Sequence, residues 1–528
     1  MKKYIYIMLL AVTVTFTGCQ KADFADNYAD PNKIAETTVP KQFTGILATN
    51  RDYVVPNYNN YFIIYRPTLL PWTQAAGSIN GLSQYVVGSA SVNEQWNRNY
   101  YRMFQQYREL EKVYNGLPEE EQANNRIFWL AANIYVFDHT QKMVDLFGYI
   151  PFSDAGRLSQ NGGDYLSSLP AYDSSQEIYT SMLDQLKAFA DELNTISISA
   201  STKTVFDTQD YINHGDITLW KKYCNSLRLR ILNRVSGVSE FSSRADSEIS
   251  DILGNSGSYP IVDANDENIQ VEVVDLDSPI NSKGFENGFG SDGWYTNFAG
   301  KKMVDHMNDN TDPRIRVFFE PAEDDGVSYR GINPLDDGTA QTTAADNGEI
   351  SLFNRSAFNQ NEFFPGVLIS AAEVNFIKAE YYLRGGNDAM AQTAYETGVE
   401  QSTEWYYWVR TLSADDVSGP LTPLGATEVA DYLASADVVW SGSDADKMKL
   451  IATEKWIHYG VVQLHESWAE QRRLDLPELE FLPDNANTQS LPPVRWLYPD
   501  NERSRNTENF QAVSSMDNMT TKIFWDIN

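Results

Sequence analysis

The chain has 528 residues, 42% of them hydrophobic, with a formal net charge of -31, so it can bury a large core and global disorder is excluded. No cluster of Lys and Arg interrupts that acidic balance, which excludes nucleic-acid backbones and polybasic membrane patches as partners. Two cysteines, Cys19 and Cys224, cannot build a disulfide framework or a cysteine metal site.

Lys2 and Lys3 precede the apolar run Ile5 to Phe16, which ends in Thr17-Gly18-Cys19. A charged start, a short greasy run and small residues make a secretory signal, and the run is too short to span a bilayer permanently. Small residues followed at once by Cys resemble a lipobox, with Phe16 standing where such motifs favour Leu. Residues 1–18 are therefore expected to be a lipoprotein signal peptide, and Cys19 the acylated residue. Lys21-Ala22-Asp23 resembles the short export signal that sends Bacteroidota lipoproteins to the cell surface. Residues 19–45, polar and carrying Pro31 and Pro40, read as a tether, and residues 46–528 as a single body.

From Arg51 to Val92 the chain is irregular and rich in rings, with prolines and glycines breaking any long element. Helical periodicity then sets in. Trp96, Tyr100, Met103, Tyr107 and Leu110 recur at three and four, and after Gly116-Leu117-Pro118 a second helix runs through Ile127, Leu130, Ile134 and Phe137. This makes a hairpin near 93–147. Another spans 174–235, opening with Ser174 or Ser175 as cap and Glu177 behind it.

The stretch 236–366 is rich in Gly, Asn, Asp and Ser and reads as a loop-rich insertion. Its extended runs are Ile269 to Val274 and Ile315 to Phe319, and its one sustained helix runs from Tyr295 to Met307. Periodicity returns at 371–402, where Val374, Ile377 and Tyr381 share one face, Gly385-Gly386 ends the helix and Asn387 or Asp388 caps the next. Ala391, Ala394 and Tyr395 let that second helix lie close against the first. This is the tetratricopeptide pattern, a unit that cannot bury its faces without neighbours. A fourth pair is expected at 427–474, and loops after Pro477. The fold class is thus mainly α: tetratricopeptide-like helical hairpins in an α/α superhelix, with long loop-rich insertions and few short strands.

Several blocks, in order along the chain, resemble the SusD/RagB family of outer-membrane nutrient-binding lipoproteins. They are Asp145 to Ala155 (DLFGYIPFSDA), Pro170-Ala171-Tyr172-Asp173 with Gln176 to Tyr179, and Gly215-Asp216-Ile217 with Trp220 to Lys222 and Asn225 to Arg230. Thr311-Asp312-Pro313-Arg314, Ala372 to Glu380, and Glu466-Ser467-Trp468 with Arg472-Arg473 complete the set. The resemblance implies a nutrient-binding lipoprotein, lipid-anchored in the outer membrane and exposed at the cell surface. It would capture an oligosaccharide, or in some branches a peptide, and sit as a lid over a SusC-like TonB-dependent transporter barrel. It implies no catalytic residues and no cofactor; a surface-anchored glycan hydrolase and a helical-repeat adaptor are the alternatives.

The motifs that would carry other chemistry are incomplete. His465-Glu466 begins a zinc helix, but Ala469 stands where the second His belongs. Gly288 to Gly293 satisfies G-x-G-x-x-G without a preceding strand and reads as a loop. Asp263, Asn265 and Glu267 begin like a calcium loop, yet Asn268 and Val274 replace its glycine and glutamate, leaving a structural calcium open. Glu470 and Arg473 at i,i+3 read as an ion pair. A sugar needs a flat apolar surface beside donors and acceptors. Two loops supply both: Trp72, Gln74, Asn80 and Tyr85 in one, Asp292, Trp294, Tyr295 and Asn297 in the other.

Overall fold

The computed structural model describes residues 37–290 and 297–528. Cys19 and its signal lie outside them, as do Asp292, Trp294 and Tyr295. The chain's first described helix, Val39–Val54, was not expected, since residues to 45 read as tether. Thr38 accepts a hydrogen bond from Lys41 N and caps it. Pro40 sits in its first turn, where a missing N–H costs nothing. Phe43, Ile46, Leu47 and Tyr53 then face the core.

The first expected hairpin is present, with its leading helix built in three joined pieces. Ser89–Asn93 runs into a π-helical stretch, Glu94–Tyr101, and on into the α-helix Arg102–Asn115. Its partner, Glu119–Phe147, is buried continuously from Leu130 to Phe147, so it forms the axis of this half and shows little amphipathic stripe. Gly148 ends it at φ 77°, a conformation other residues rarely adopt.

The second pair is Ser175–Leu193, with the expected Ser174–Glu177 capping box, and Ile217–Val235, with Ala200–Gln209 between them. Ala371–Arg384 and Asp388–Leu412 form the tetratricopeptide-like hairpin, whose second helix runs ten residues beyond the expected end. A Cβ on Gly398 would lie 2.7 Å from Cε1 of Phe376, so its absence lets these helices pack closely. Only Gly386 of the glycine pair takes a positive φ, 72°; Asn387 caps the second helix. The last pair is Asp444–Tyr459 with Leu464–Leu474, and Glu428–Leu433 is a short helix before it.

The insertion is more ordered than its composition suggests. Ser242–Gly254 is an amphipathic helix burying Ala245, Ile249 and Ile252. Ile315–Phe318, read as extended, is one helical turn, and the expected helix to Met307 is observed as Lys301–Asp309. Two strands, β1 (Ile269–Val271) and β2 (Gly366–Ile369), pair antiparallel and join both ends of the insertion.

A buried ionic network ties the helical pairs together. Arg230 donates to Glu373 at 2.5 Å and to Asp138 at 3.0 Å. Arg473 bonds both oxygens of Glu380 at 2.7 Å, and Glu470 at the same distance, which is the expected i,i+3 pair. Burial alone would raise the Glu380 carboxyl, but Arg473, Arg384 and Lys455 hold it down at about 2. In the 311–314 block, Arg314 joins Asp312 and Glu454, each at 2.7 Å. Four of the blocks that carry the family resemblance, 225–230, 311–314, 372–380 and 466–473, thus supply charges to the polar core.

Candidate functional site

The two loops read from the sequence converge. Gly77 N donates to Phe298 O at 2.7 Å, and Phe298 also bridges to Leu352. A Cβ at Gly77 would lie 2.2 Å from Ile332 Cγ2 and 2.6 Å from Ala299 O, so this crossing requires glycine.

The named side chains in the first loop hold it rather than line an open face. Trp72, expected on the ligand surface, is 1% exposed. Its Nε1 donates to Gln84 O at 3.0 Å, and its ring packs on Trp468 and Trp496. A ring closed on both sides and by its own donor is a post beneath the loop, not a platform on it. Gln74, at φ 50°, donates to Glu480 O at 2.6 Å. Asn80 donates to Pro334 O and Asp336 O, both at 2.8 Å. Tyr85 donates to Leu482 O at 2.9 Å and packs against Phe481, and burial pushes its hydroxyl up to about 12.

Gln74, Asn80 and Tyr85 do share a cleft with Lys301 and Phe481, which the sequence reading did not connect to them, but its free volume is about 30 Å³. That admits a water or two and excludes a sugar ring.

The second loop leads to a larger space. Gly290 and Asn297 meet at the foot of the segment they flank: a Cβ on Gly290 would lie 2.6 Å from Asn297 Cγ. Asn297 is buried and its carbonyl accepts from Phe353 N at 2.7 Å. Asn359 donates to Gly290 O at 2.5 Å and also lines an open depression of about 430 Å³, a size typical of small-ligand sites. Around it stand Lys283, Glu286, Glu362, Asp415 and the half-buried ring of Phe363. Asn359 Oδ1 is buried without a hydrogen-bond partner, an unsatisfied acceptor beside the depression. No sequence signal marked these residues, because they come from segments some 130 residues apart.

His465 packs between Tyr53 and Tyr65, and His458 between Ser370 and Ser402. The acidic residues of the calcium-like stretch are paired with lysines, Asp263 with Lys378 at 2.7 Å and Glu267 with Lys222. Among the described residues no group of three or more His, Cys, Asp or Glu is placed to hold a metal ion, and no helix is long and apolar enough to cross a membrane.

The family model described as "SusD-like: Starch-binding associating with outer membrane" matches residues 31–499. The chain belongs to the SusD-like family. No match was found among curated proteins. Among solved structures the SusD-like chain resembles a chitin-binding protein at 22% identity and TM-score 0.73, covering 92% of this chain and 100% of that one. It also resembles a SusD homologue from Bacteroides fragilis NCTC 9343 at 18% identity and TM-score 0.74, covering 93% and 100%. A third, a SusD homologue from Bacteroides uniformis ATCC 8492, aligns at 20% identity and TM-score 0.67 with the same coverages. At these identities the likeness is one of fold. Family membership assigns the SusD-like chain to binding proteins associated with the outer membrane.

Proposed function

We propose that this protein captures a neutral oligosaccharide at the depression beside the Gly290–Asn297 stem and passes it to a SusC-like TonB-dependent transporter, with no covalent chemistry. Acyl chains on Cys19 would moor it to the outer membrane with its body facing outward. The observation that carries the reading is the depression itself: an unpartnered Asn359 acceptor and a Phe363 ring beside mixed charges, on a chain of a starch-binding family. A saccharide asks for that combination of apolar face and polar rim. Trp294 and Tyr295, in the segment that this stem anchors, are proposed to add ring surface, and Asp292 a polar group.

The test is equilibrium titration of the protein with neutral oligosaccharides, with peptides as the comparison ligands. Trp294→Ala is expected to weaken oligosaccharide binding about tenfold with the melting temperature unchanged. Binding of peptides alone, or release of shortened sugars by repurified protein, would defeat the reading. The anchor is tested separately by palmitate labelling, which Cys19→Ala should abolish.

A further inference from the structure

A second depression lies between the β1 strand and the C-terminal half of the Asp388–Leu412 helix, and shares no lining residue with the first. Its volume is about 450 Å³, again that of a small-ligand site. One wall is aromatic. Trp408 is half-buried, and Trp405 packs beside it with centroids 6.5 Å apart. Trp405 is itself held by its Nε1, which donates to Gln270 Oε1 at 3.4 Å.

Amide side chains, Asn265, Asn268 and Gln270, also line it. Asn268 Oδ1 accepts from Ala371 N at 2.7 Å, which fixes the side chain and leaves its Nδ2 buried without a partner. Asn265 Nδ2 donates to Gln401 O at 3.0 Å, leaving its Oδ1 in the same condition. A fixed donor and a fixed acceptor, each unsatisfied, thus belong to residues that line the same depression as the ring. Buried polar atoms are rarely left so, since each costs about 1–3 kcal/mol. Asp266, Glu272 and Glu404 complete the lining, and no cationic side chain does. An anionic ligand is therefore repelled, and a neutral one with hydroxyls around an apolar face suits all three features.

From this geometry we infer a second saccharide-binding site, in which a neutral sugar ring lies on Trp408 and its hydroxyls pair with Asn268 Nδ2 and Asn265 Oδ1. The inference rests on the oligosaccharide reading above but uses different residues. Two sites on one body would let a long glycan be held at separate points, raising its effective affinity without tightening either contact.

The experiment is calorimetric titration of the full chain with neutral oligosaccharides of glucose, mannose, galactose and xylose, followed by Trp408→Ala, Asn265→Ala and Trp294→Ala. The expected result is that Trp408→Ala loses one class of site, or at least tenfold in affinity, and that Trp294→Ala retains it. Asn265→Ala removes one surface-proximal hydrogen bond, to Gln401 O, and no ring from the core, so its loss of binding at unchanged melting temperature reads the site even if Trp408→Ala folds poorly. Unchanged affinity and stoichiometry in both variants would overturn the second site and leave the first standing. Tryptophan quenching by a lysine-rich peptide without any by sugar would overturn it in favour of a cation-binding groove. No oligosaccharide binding by the unaltered chain would sink both readings together.

Discussion

Trp72 shows how far a residue's role depends on what the fold brings to it. Pro67, Pro71 and Gly77 break the chain around it, and Thr73 and Gln74 follow it, the setting of a loop ring. Trp468 and Trp496, roughly 400 residues away, close over it, and Gln84 O takes its only donor. Trp72→Ala is therefore expected to cost about 3–5 kcal/mol of stability, measured as a fall in the urea midpoint. Any residual effect on sugar binding should vanish when compared at equal folded fraction. A neutral effect on stability would show that the ring is not the post that its packing indicates. Trp408 has the opposite history: its spacing from Trp405 is helical and suggests core, yet it is left half-open at the rim of a depression.

At the level of elements, the helix Ala371–Arg384 organises its neighbours through charge as well as packing. Glu373 lies fully buried and receives Arg230 and Gln463. Burial would raise its carboxyl, but Arg230 outweighs that and lowers it. Such a pair adds little over a well-packed apolar one, whereas breaking it strands a buried charge. Glu373→Gln should thus destabilise the protein by about 3 kcal/mol, and Arg230→Met, which also takes a cation from buried Asp138, should cost at least as much. A double-mutant cycle in chemical denaturation reads the coupling directly. The sequence pattern found this helix and its partner because both present an apolar stripe. It missed Val39–Val54 because Pro40 looked like a breaker, whereas in a first turn proline is harmless. Ser242–Gly254 is hidden by its Ser- and Asp-rich composition, although Ala245, Ile249 and Ile252 recur at four and three.

Across the whole molecule, acid should be the weak side of its stability. Burial holds His458 and His465 down at about 3 and lowers His139 as well. The unfolded chain takes up those protons near pH 6.5 while the folded one does not. Stability therefore falls as pH drops from about 6.5 toward 3, by up to about 1.4 kcal/mol per pH unit for each histidine. Glu380 and Glu454, held at about 2 by Arg473 and Arg314 against the burial that would raise them, act in the same direction. Their stabilisation is complete above about pH 4.5 and lost toward pH 2. Asp138, Glu373 and Glu470, which burial would raise but paired cations lower, add to the loss in acid, whereas Glu466, Asp210, Glu400 and Asp526, raised by burial, oppose it. Urea midpoints measured from pH 8 to pH 4 should decline below pH 6.5, and a flat profile down to pH 5 would contradict this account.

Apolar periodicity, caps and the glycine-marked turn are local properties, so the amino-acid sequence by itself determined the paired helices, their order and the helical class of the body. The ordered blocks are local in the same sense, and several of them, among them Arg230, Arg314, Glu373 and Arg473, supply the interlocking charges of the core. Where a ligand can rest is a property of distance in space. Asn359 beside Gly290, and Asn265 and Asn268 in one lining with Trp408, were brought together only by tertiary structure. The same packing that closed the Trp72 loop onto a void for water left those two hollows wide enough to receive a sugar.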